Sequence, residues 1–374
     1  MSHDIVISGT GLWVPASTLS NEELVQSYNQ HADLYNEEHA SQIEAGTIVA
    51  KAHSSAAFIE KASGIKSRYV YQKEGVLDTA RMRPLIPKRD DDDISDQAEM
   101  AIKAAKRAMD AANKRADDID AVIVSCAYTQ RSYPAIAIEV QHELGIDGFG
   151  FDMLVACSAA TFALHRAYEM VKSGTCRCVL AINPELTSPQ VNYKDRDSHF
   201  IFGDVAVATI IEKAETCTAK HAFEIISIKA LTQYSNNIRS NFGYVLNAND
   251  TDPLAKDQYF SQQGRAVFKE VCPIAANHIS QHLDEADLTT EQISRWWLHQ
   301  ANINMNTLIC KLLLNRQPSK EEAPIVLDEF ANTASAGSLI AFNRFHEDLA
   351  SGDYGVICSF GAGYSIGSLI VKKI

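Results

Sequence analysis

An internal repeat is the sequence feature that most constrains the fold. The stretch ATFALHRAYEMVKSGTCRCVLAI, residues 160–182, can be laid on GSLIAFNRFHEDLASGDYGVICSF, residues 337–360, because each combines small residues, an amphipathic helix, Ser-Gly and a buried strand. A second pair matches FGDVAVATII, residues 202–211, with FGAGYSIGSLIV, residues 360–371. Repeats in the same order indicate a duplicated fold whose halves pack into one molecule. The two expected halves are residues 1–212 and residues 213–374.

Apolar strands alternate with amphipathic helices, which is the pattern of a layered α/β protein. Ser95 is predicted to cap a helix whose apolar face includes Ala98, Ile102 and Met109. The segment 76–93, which contains RMRPLIPKRDDDD, is predicted to be an exposed insertion with its aspartates in a solvated loop. The predicted strands are residues 4–11, 121–126 and 178–182, and the predicted helices are residues 94–113 and 161–173.

Composition and charge exclude several classes of protein. A net charge of -13 argues against nucleic-acid binding, because phosphates would be repelled. No apolar run is long enough to span a membrane, and the first residues do not resemble a signal peptide. The eight cysteines include no C-x-x-C pair, and alternation in a strand puts Cys176 and Cys178 on one face, too close for a disulfide or zinc site. We expect a reduced, cytoplasmic protein without a metal site.

Cys157 is the first candidate for chemistry. It stands between a strand and a helix in DMLVACSAATFAL, with small residues on both sides. The positive end of a helix dipole favours a thiolate, and small neighbours let a substrate carbonyl approach the backbone N–H groups that receive an oxyanion. The alternative is a buried structural cysteine, which is what most free cysteines are.

Two polar residues far along the chain complete a candidate set. His299 follows the strand RWWL, and Asn332 precedes a helix that starts with small residues. Taken alone, His299 fits a structural histidine and Asn332 fits a helix N-cap. Together with Cys157 they form the kind of cysteine, histidine and asparagine set that supports nucleophilic catalysis.

The order of these motifs carries a resemblance to a known family. The chain has D-x-x-x-A-C ending at Cys157, then H-Q-A-N at 299–302, N-T at 332–333 and a glycine-rich loop at 360–363. In this order they resemble β-ketoacyl-[acyl-carrier-protein] synthase III, as do KDRDSHFIFGD and ASGIKSRYV, and the resemblance covers nearly the whole chain. It implies a thiolase-like, duplicated, five-layered α-β-α-β-α fold and a homodimer. Relative to a minimal member, the chain has insertions near residues 29–56 and 77–93.

The resemblance also implies a reaction. Cys157 would take an acyl group from an acyl-CoA primer, and malonyl-ACP, in which ACP is acyl carrier protein, would lose CO₂ and condense with it to give 3-oxoacyl-ACP. His299 and Asn332 would stabilise the enolate, and the backbone N–H groups of Cys157 and Ala362 would form the oxyanion hole. No metal or redox cofactor is needed, and the implied pathway is the initiation of fatty acid biosynthesis.

Substrate and docking residues carry over from the family by position. Asn304 stands where an arginine is usual in the family, which weakens the expected contact with the carrier protein. The alternative for each docking lysine is an ordinary solvated charge. The implied substrate-binding residues are Phe58 and Arg196 for the nucleotide, Tyr133 for the partner subunit's acyl tunnel, and Gly361 and Gly363, while Lys269 and Lys311 are implied for docking.

Several other functions share some of these sequence features. Residues 363–367, GYSIG, fit the G-x-S-x-G elbow of serine hydrolases, but only a strand follows, without histidine or carboxylate. A degradative thiolase needs a second reactive cysteine in C-x-G, whereas Cys358 is followed by Ser-Phe. Condensation of two acyl-CoAs, polyketide-type priming and acyl transfer without a new carbon–carbon bond stay open. Tyr133 and the insertions favour a primer longer than acetyl.

Overall fold

The computed structural model describes residues 5–374, and Asp4 of the first predicted strand lies outside them. The strands are β1 Ile5–Trp13, β2 Ser17–Ser20, β3 Ser67–Val70, β4 Ala121–Cys126, β5 Phe149–Leu154, β6 Cys178–Glu185, β7 Val205–Lys213, β8 Phe223–Ser235, β9 Ile238–Arg239, β10 Ser261–Gln262, β11 Ile293–Leu298, β12 Tyr354–Gly361 and β13 Gly363–Lys373. The helices are α1 Asn21–Glu38, α2 Ala40–Glu44, α3 Ala56–Ser63, α4 Glu74–Leu77, α5 Asp96–Ala112, α6 Ile136–Leu144, α7 Ala159–Lys172, α8 Gly264–Glu285, α9 Ile303–Leu314, α10 Leu327–Phe330 and α11 Gly337–Arg344.

The main sheet has the strand order β11-β12-β13-β8-β1-β7-β6-β4-β5. From its middle, β1, β7, β6 and β4 follow in one direction, and β8, β13, β12 and β11 follow in the other. The two sets meet where β1 pairs antiparallel with β8 at Val6–Glu224 and Ile7–Phe223. In each set the last two strands named pair in parallel, β6 with β4 and β12 with β11. The same order therefore occurs twice, in agreement with the repeat, while the boundary between residues 212 and 213 stays a prediction.

Five layers follow from how the helices pack. Helices α7 and α11 lie in the middle, and strands of both sets bury apolar side chains against them. Helices α5 and α6 cover the outer side of β4, β6 and β7, and α8 and α9 cover the outer side of β11, β12 and β13. A further cluster, built from α1, α3, β3 and residues 191–202, caps one end. This is the predicted α-β-α-β-α arrangement.

The local signals explain most element boundaries. Ser95 accepts a hydrogen bond from Ala98 N at 3.1 Å, and Asn113 ends α5 in the left-handed conformation with φ 60°, so the predicted helix is confirmed within two residues. Strand β4 has the predicted bounds, and all its residues are buried. Helix α7 starts two residues earlier than predicted, and β6 runs three residues further, to Glu185.

The segment 76–93 is only partly the exposed insertion that the sequence predicts. Met82 is 3% exposed because it packs in the cluster around α1. Arg89 donates to Asp96 at 2.8 Å and also pairs with Glu99, which ties the segment to the start of α5. The four aspartates 90–93 are exposed, as expected for a solvated loop.

Two features that bear on the predicted location of the protein are membrane-spanning helices and disulfides. Within residues 5–374, no helix combines the length and the apolarity that crossing a bilayer requires. All eight cysteines fall within this range, and none forms a disulfide.

Candidate active site

Cys157 lies in a tight turn at the start of a central helix. The turn is the 3₁₀ segment Ala156–Ser158, and α7 follows it directly. Ala156 has φ 45°, a left-handed conformation that a non-glycine residue rarely adopts. Such strain persists only where the surrounding structure holds it. Ser158 contributes to this support because its Oγ donates to Ser365 O at 2.7 Å.

The glycine-rich loop packs directly on the cysteine. A Cβ built on Gly361 would lie 2.5 Å from Cβ and 3.2 Å from Sγ of Cys157, so any side chain there would collide with Cys157. Gly361 ends β12, and Ala362 leads into β13. Ser365 of the GYSIG motif lies inside β13 and donates to Ala362 O at 2.9 Å, so it forms no nucleophile elbow.

The electrostatic surroundings of Cys157 favour the thiol. Burial, and then the charge of Glu185, raise the pKa of Cys157 to about 12, although its own backbone N–H acts in the opposite direction. This corrects the expectation that the helix dipole makes the thiolate the favoured form. Desolvation is the largest contribution because it penalises any charge at this position.

Strands β11 and β12 position His299 on the side of the glycine-rich loop that leads to Cys157. It follows β11, and its N donates to Cys358 O at 2.8 Å across the parallel pair. Its ring lies edge-on to Phe360, 5.2 Å between centroids, and Phe360 precedes the glycine that contacts Cys157. Burial lowers the pKa of His299 to about 3, and the side chain is 2% exposed, so the imidazole is neutral. A neutral imidazole donates one hydrogen bond without adding charge.

Asn332 is oriented by its own turn. Its Oδ1 accepts from Ala334 N at 2.9 Å, which leaves the Nδ2 group to donate elsewhere. Its backbone is fixed as well, since Asn332 N donates to Ile201 O at 3.0 Å and Asn332 O accepts from Gly203 N at 3.1 Å. The bond to Ala334 N closes a local turn two residues long, and the N-cap positions of the 3₁₀ turn and of α11 are Thr333 and Ala336, so the N-cap alternative for Asn332 is wrong.

Glu185 is a site residue that the sequence reasoning missed. It is fully buried at the end of β6, where its carboxylate accepts from Ser335 N at 3.1 Å, from Ser335 Oγ, and from Ala127 N at 3.2 Å. Burial raises the pKa of Glu185 to about 7, against the lowering effect of these hydrogen bonds. The available signal was a carboxyl group in the apolar run VLAINPEL.

Phe58 and Arg196, which the resemblance predicts to bind the nucleotide, contact each other, whereas Tyr133 lies elsewhere. The Arg196 guanidinium stacks on the Phe58 ring with its Cζ 4.0 Å from the centroid. Tyr133 is 79% exposed and lines a cavity of about 630 Å³ with residues of the 76–93 segment. Lys269 and Lys311 are exposed on α8 and α9, two helices that share one core cluster.

The fold and this site define a thiolase-like condensing acyltransferase. The family described as 3-oxoacyl-[acyl-carrier-protein (ACP)] synthase III matches residues 151–232, and its C-terminal part matches residues 283–373. A Pseudomonas aeruginosa protein named β-ketodecanoyl-[acyl-carrier-protein] synthase is 51% identical over 93% of this chain and 100% of its own length. A Granulibacter bethesdensis β-ketoacyl-[acyl-carrier-protein] synthase III is 28% identical over 98% of each chain.

Solved structures confirm the fold. The priming β-ketosynthase of the R1128 polyketide pathway superposes with a TM-score of 0.78 at 22% identity, over 99% of this chain and 96% of that one. The 3-oxoacyl-[acyl-carrier-protein] synthase III of Aquifex aeolicus gives a TM-score of 0.75 at 22% identity, over 98% and 99%. The chain belongs to the 3-oxoacyl-[acyl-carrier-protein] synthase III family, the condensing enzymes that initiate fatty acid biosynthesis.

Proposed function

We propose that the protein loads an acyl group from acyl-CoA onto Cys157 and condenses it with malonyl-ACP to give a 3-oxoacyl-ACP. One observation carries the assignment of residues: Cys157 stands on a strained turn against Gly361, in the same buried region as a neutral His299. Asn332 adds an amide Nδ2 that its own turn leaves free to donate, since its oxygen is already occupied.

The proposed chemistry starts from neutral groups. The Cys157 sulfur attacks the thioester, its proton leaves with the CoA sulfur, and the backbone N–H groups of Cys157 and Ala362 receive the oxyanion. Malonyl-ACP then loses CO₂, and the enolate oxygen accepts hydrogen bonds from His299 and Asn332. The enolate carbon bonds to the acyl carbon, the bond to sulfur breaks, and Cys157 leaves as a thiolate that takes up a proton from solvent. No metal or redox group takes part in these steps.

We include a medium-length primer in the proposal. The name of the Pseudomonas relative specifies a ten-carbon product, and because malonyl supplies two carbons after decarboxylation, its primer has eight. A cavity of about 420 Å³ lies at the carboxyl ends of β4 and β5, and Leu154 in its wall stands three residues before Cys157. Its walls include Leu154, Phe242 and Leu254, which suit an alkyl chain.

Partners form the next part of the proposal. Strand β5 is an edge of the main sheet, and Leu154 at its end is 56% exposed. A second copy that covers this edge would remove an exposed apolar strand, so we propose a homodimer in which Tyr133 reaches the acyl site of the other subunit. Lys269 and Lys311 are proposed to dock the acidic carrier protein. We also propose a cytoplasmic location, which suits the eight unpaired cysteines.

Intact-mass measurement tests the function directly. The purified protein is incubated with acetyl-, butyryl-, octanoyl- and lauroyl-CoA, in parallel with Cys157→Ala, and malonyl-ACP is then added. We expect an octanoyl adduct that is absent from Cys157→Ala and leaves as 3-oxodecanoyl-ACP. A clear preference for acetyl-CoA would reject the medium-length primer. An adduct that malonyl-ACP does not discharge would reject the condensation, and no adduct with any acyl-CoA would reject the CoA-primed reaction.

A further inference from the structure

The glycine-rich loop, residues 360–363, is bonded to the turn that carries Cys157. Ser365 Oγ donates to Ala362 O at 2.9 Å, and Ser365 O accepts from Ser158 Oγ at 2.7 Å. Ser158 directly follows the proposed nucleophile. The loop that supplies the proposed oxyanion donor, the Ala362 N–H, is therefore tied to the turn of the cysteine.

A second attachment of the loop runs through Tyr364. This residue directly follows the loop, is 2% exposed, and belongs to the core cluster that β12 and β13 share with α8 and α9. Its phenol donates to Glu270 Oε2 at 2.9 Å and accepts from Asn237 Nδ2 at 3.0 Å. Asn237 Nδ2 also donates to Glu270 Oε2 at 3.0 Å. Each of these three side chains contacts the other two, and we call them the anchor triad.

The anchor triad joins three parts of the chain that are far apart in sequence. Tyr364 lies on β13, Glu270 on α8, and Asn237 between β8 and β9. Asn237 O accepts from Gln263 N at 2.8 Å, just before α8 begins, and Asn237 N donates to Ser235 Oγ at 3.3 Å. Because its backbone is held in this way, Asn237 gives the other two members a fixed partner.

The hydroxyl of Tyr364 adds a restraint that packing alone does not provide. A phenylalanine would fill the same space in the core without a partner, whereas the tyrosine hydroxyl is bonded to two side chains. Hydrogen bonds to a carboxylate are stronger than bonds to a neutral acceptor, and they are directional. The anchor triad therefore restrains Tyr364 and, through it, the backbone of the glycine-rich loop.

We propose that Glu270 and Tyr364 are positioning residues that hold the oxyanion donor Ala362 in place from α8. This inference rests on the proposed function, because it concerns the support of the oxyanion donor which that function requires. Glu270 acts through the Tyr364 phenol, and Tyr364 acts through the backbone that it shares with Ala362. A donor fixed before the reaction stabilises charge as it develops, and a small displacement weakens this effect.

The position of Glu270 on α8 also sets the competing explanation. Glu270 follows Lys269, which is proposed to dock the carrier protein, so a change at Glu270 that acted through docking is the competing outcome. Acylation of Cys157 by octanoyl-CoA needs no carrier protein. This first step therefore isolates the anchor triad from docking.

The test measures single-turnover acylation by octanoyl-CoA, and alkylation of Cys157 by iodoacetamide read from peptide masses. Tyr364→Phe and Glu270→Ala are compared with Asp284→Ala, which removes an exposed carboxylate elsewhere on α8. In both triad variants we expect about a tenfold lower maximal acylation rate, with an unchanged octanoyl-CoA concentration for half-maximal rate. Asp284→Ala should match wild type. Alkylation forms no oxyanion and should stay unchanged in all variants.

Two further variants separate the hydrogen bonds from a general effect on the fold. Glu270→Gln keeps an oxygen that can accept from Tyr364 and Asn237, and it should retain about half of the wild-type acylation rate or more. The double variant Tyr364→Phe/Glu270→Ala should lose no more than either single variant, because both changes remove the same bond. A double variant whose loss is the product of the two single losses would contradict the shared bond.

Unchanged acylation in Tyr364→Phe and Glu270→Ala would overturn the inference while the proposed function still stands. An equal loss of alkylation would overturn it as well, because the cysteine itself would then be displaced. A higher KM for malonyl-ACP with normal acylation would assign Glu270 to docking instead. Wild type that takes no acyl group from any acyl-CoA would reject the proposed function and, with it, the role of the anchor triad.

Discussion

Two turns in the centre of the molecule, Ala156–Ser158 and Ala334–Ala336, have nearly the same backbone and very different surroundings. Each is a 3₁₀ turn opened by an alanine with positive φ, 45° and 47°, and each leads into a central helix. The middle residue is Cys157 in the first turn and Ser335 in the second. Ser335 is fully buried, and both its N and its Oγ donate to Glu185.

Cys157 differs from Ser335 in partners and access. It is partly exposed, and its Sγ packs beside Gly361. Cys157 forms no disulfide within residues 5–374, whereas Ser335 is bound to Glu185. The duplicated backbone supplies the same strained turn twice, but only the turn with the partly exposed side chain is accessible to a substrate. Ser335 instead serves to hold the turn that follows Asn332.

Removal of the proposed nucleophile, Cys157, should cause the largest loss of activity among the variants that test this comparison. Cys157→Ala is expected to lose covalent acylation and to lower condensation at least a thousandfold, because Ser335 cannot replace it while bound to Glu185. Intact mass and 3-oxoacyl-ACP formation measure this. Cys217→Ala, which changes another partly exposed cysteine, is the control and should stay active. An adduct on Ser335 in Cys157→Ala would contradict the comparison.

The second-largest effect is expected from removal of the side-chain amide of Asn332, which precedes the second turn. Asn332→Ala removes one donor to the enolate, and one such donor is worth roughly 3 to 4 kcal/mol, or about a hundredfold to a thousandfold in kcat. Acylation of Cys157 by acyl-CoA should stay nearly unchanged, so single-turnover mass measurements can separate the two steps. An equal loss in acylation and condensation would show that Asn332 acts through the structure of the turn.

A side chain on Gly361 should close the open space beside Cys157. Gly361→Ala places a Cβ 2.5 Å from Cβ of Cys157, and we expect about a tenfold to a hundredfold loss of acylation from the displaced sulfur. Gly264→Ala is the matched control, because nothing lies within 4 Å of its added Cβ. Full activity of Gly361→Ala would show that the contact does not restrict the nucleophile.

Glu185 should give the smallest effect, and a pH-dependent one. As pH rises through about 7 the carboxyl ionises, and its charge opposes the Cys157 thiolate, so acylation by wild type relative to Glu185→Gln should fall a few-fold. Acylation rates from pH 6 to 8.5 measure the ratio. Equal pH profiles in the two proteins would show that the charge of Glu185 does not affect the acylation of Cys157.

The same raised pKa has a consequence for stability. The folded state holds the Glu185 proton more tightly than the unfolded state, so this group's stabilisation is full below the unfolded pKa and is lost as pH rises through about 7. Glu185→Gln should therefore show a smaller fall in thermal unfolding temperature across this window. A larger fall in the variant would contradict the assignment.

Sequence reasoning reached the fold and the catalytic candidates through different kinds of signal. The cap Ser95, the buried strand 121–126 and the repeat are local or periodic, and local patterns predict elements well. Cys157, His299 and Asn332 were found by motif order. Glu185 was missed, since a carboxyl group in an apolar run has no assignable role until its partners Ser335 and Ala127 are known.

The amino-acid sequence by itself determined the duplicated α/β architecture, the family and the residues able to do chemistry, because hydrophobic period, small residues at turns and motif order are written along the chain. Tertiary structure alone decided the ionisation of Cys157 and His299, the orientation of the Asn332 amide and the difference between Cys157 and Ser335. Desolvation and hydrogen-bond partners set those properties. Some partners come from distant segments, such as Glu185 and Ser335, which are 150 residues apart, whereas the Asn332 amide is oriented by Ala334 in its own turn.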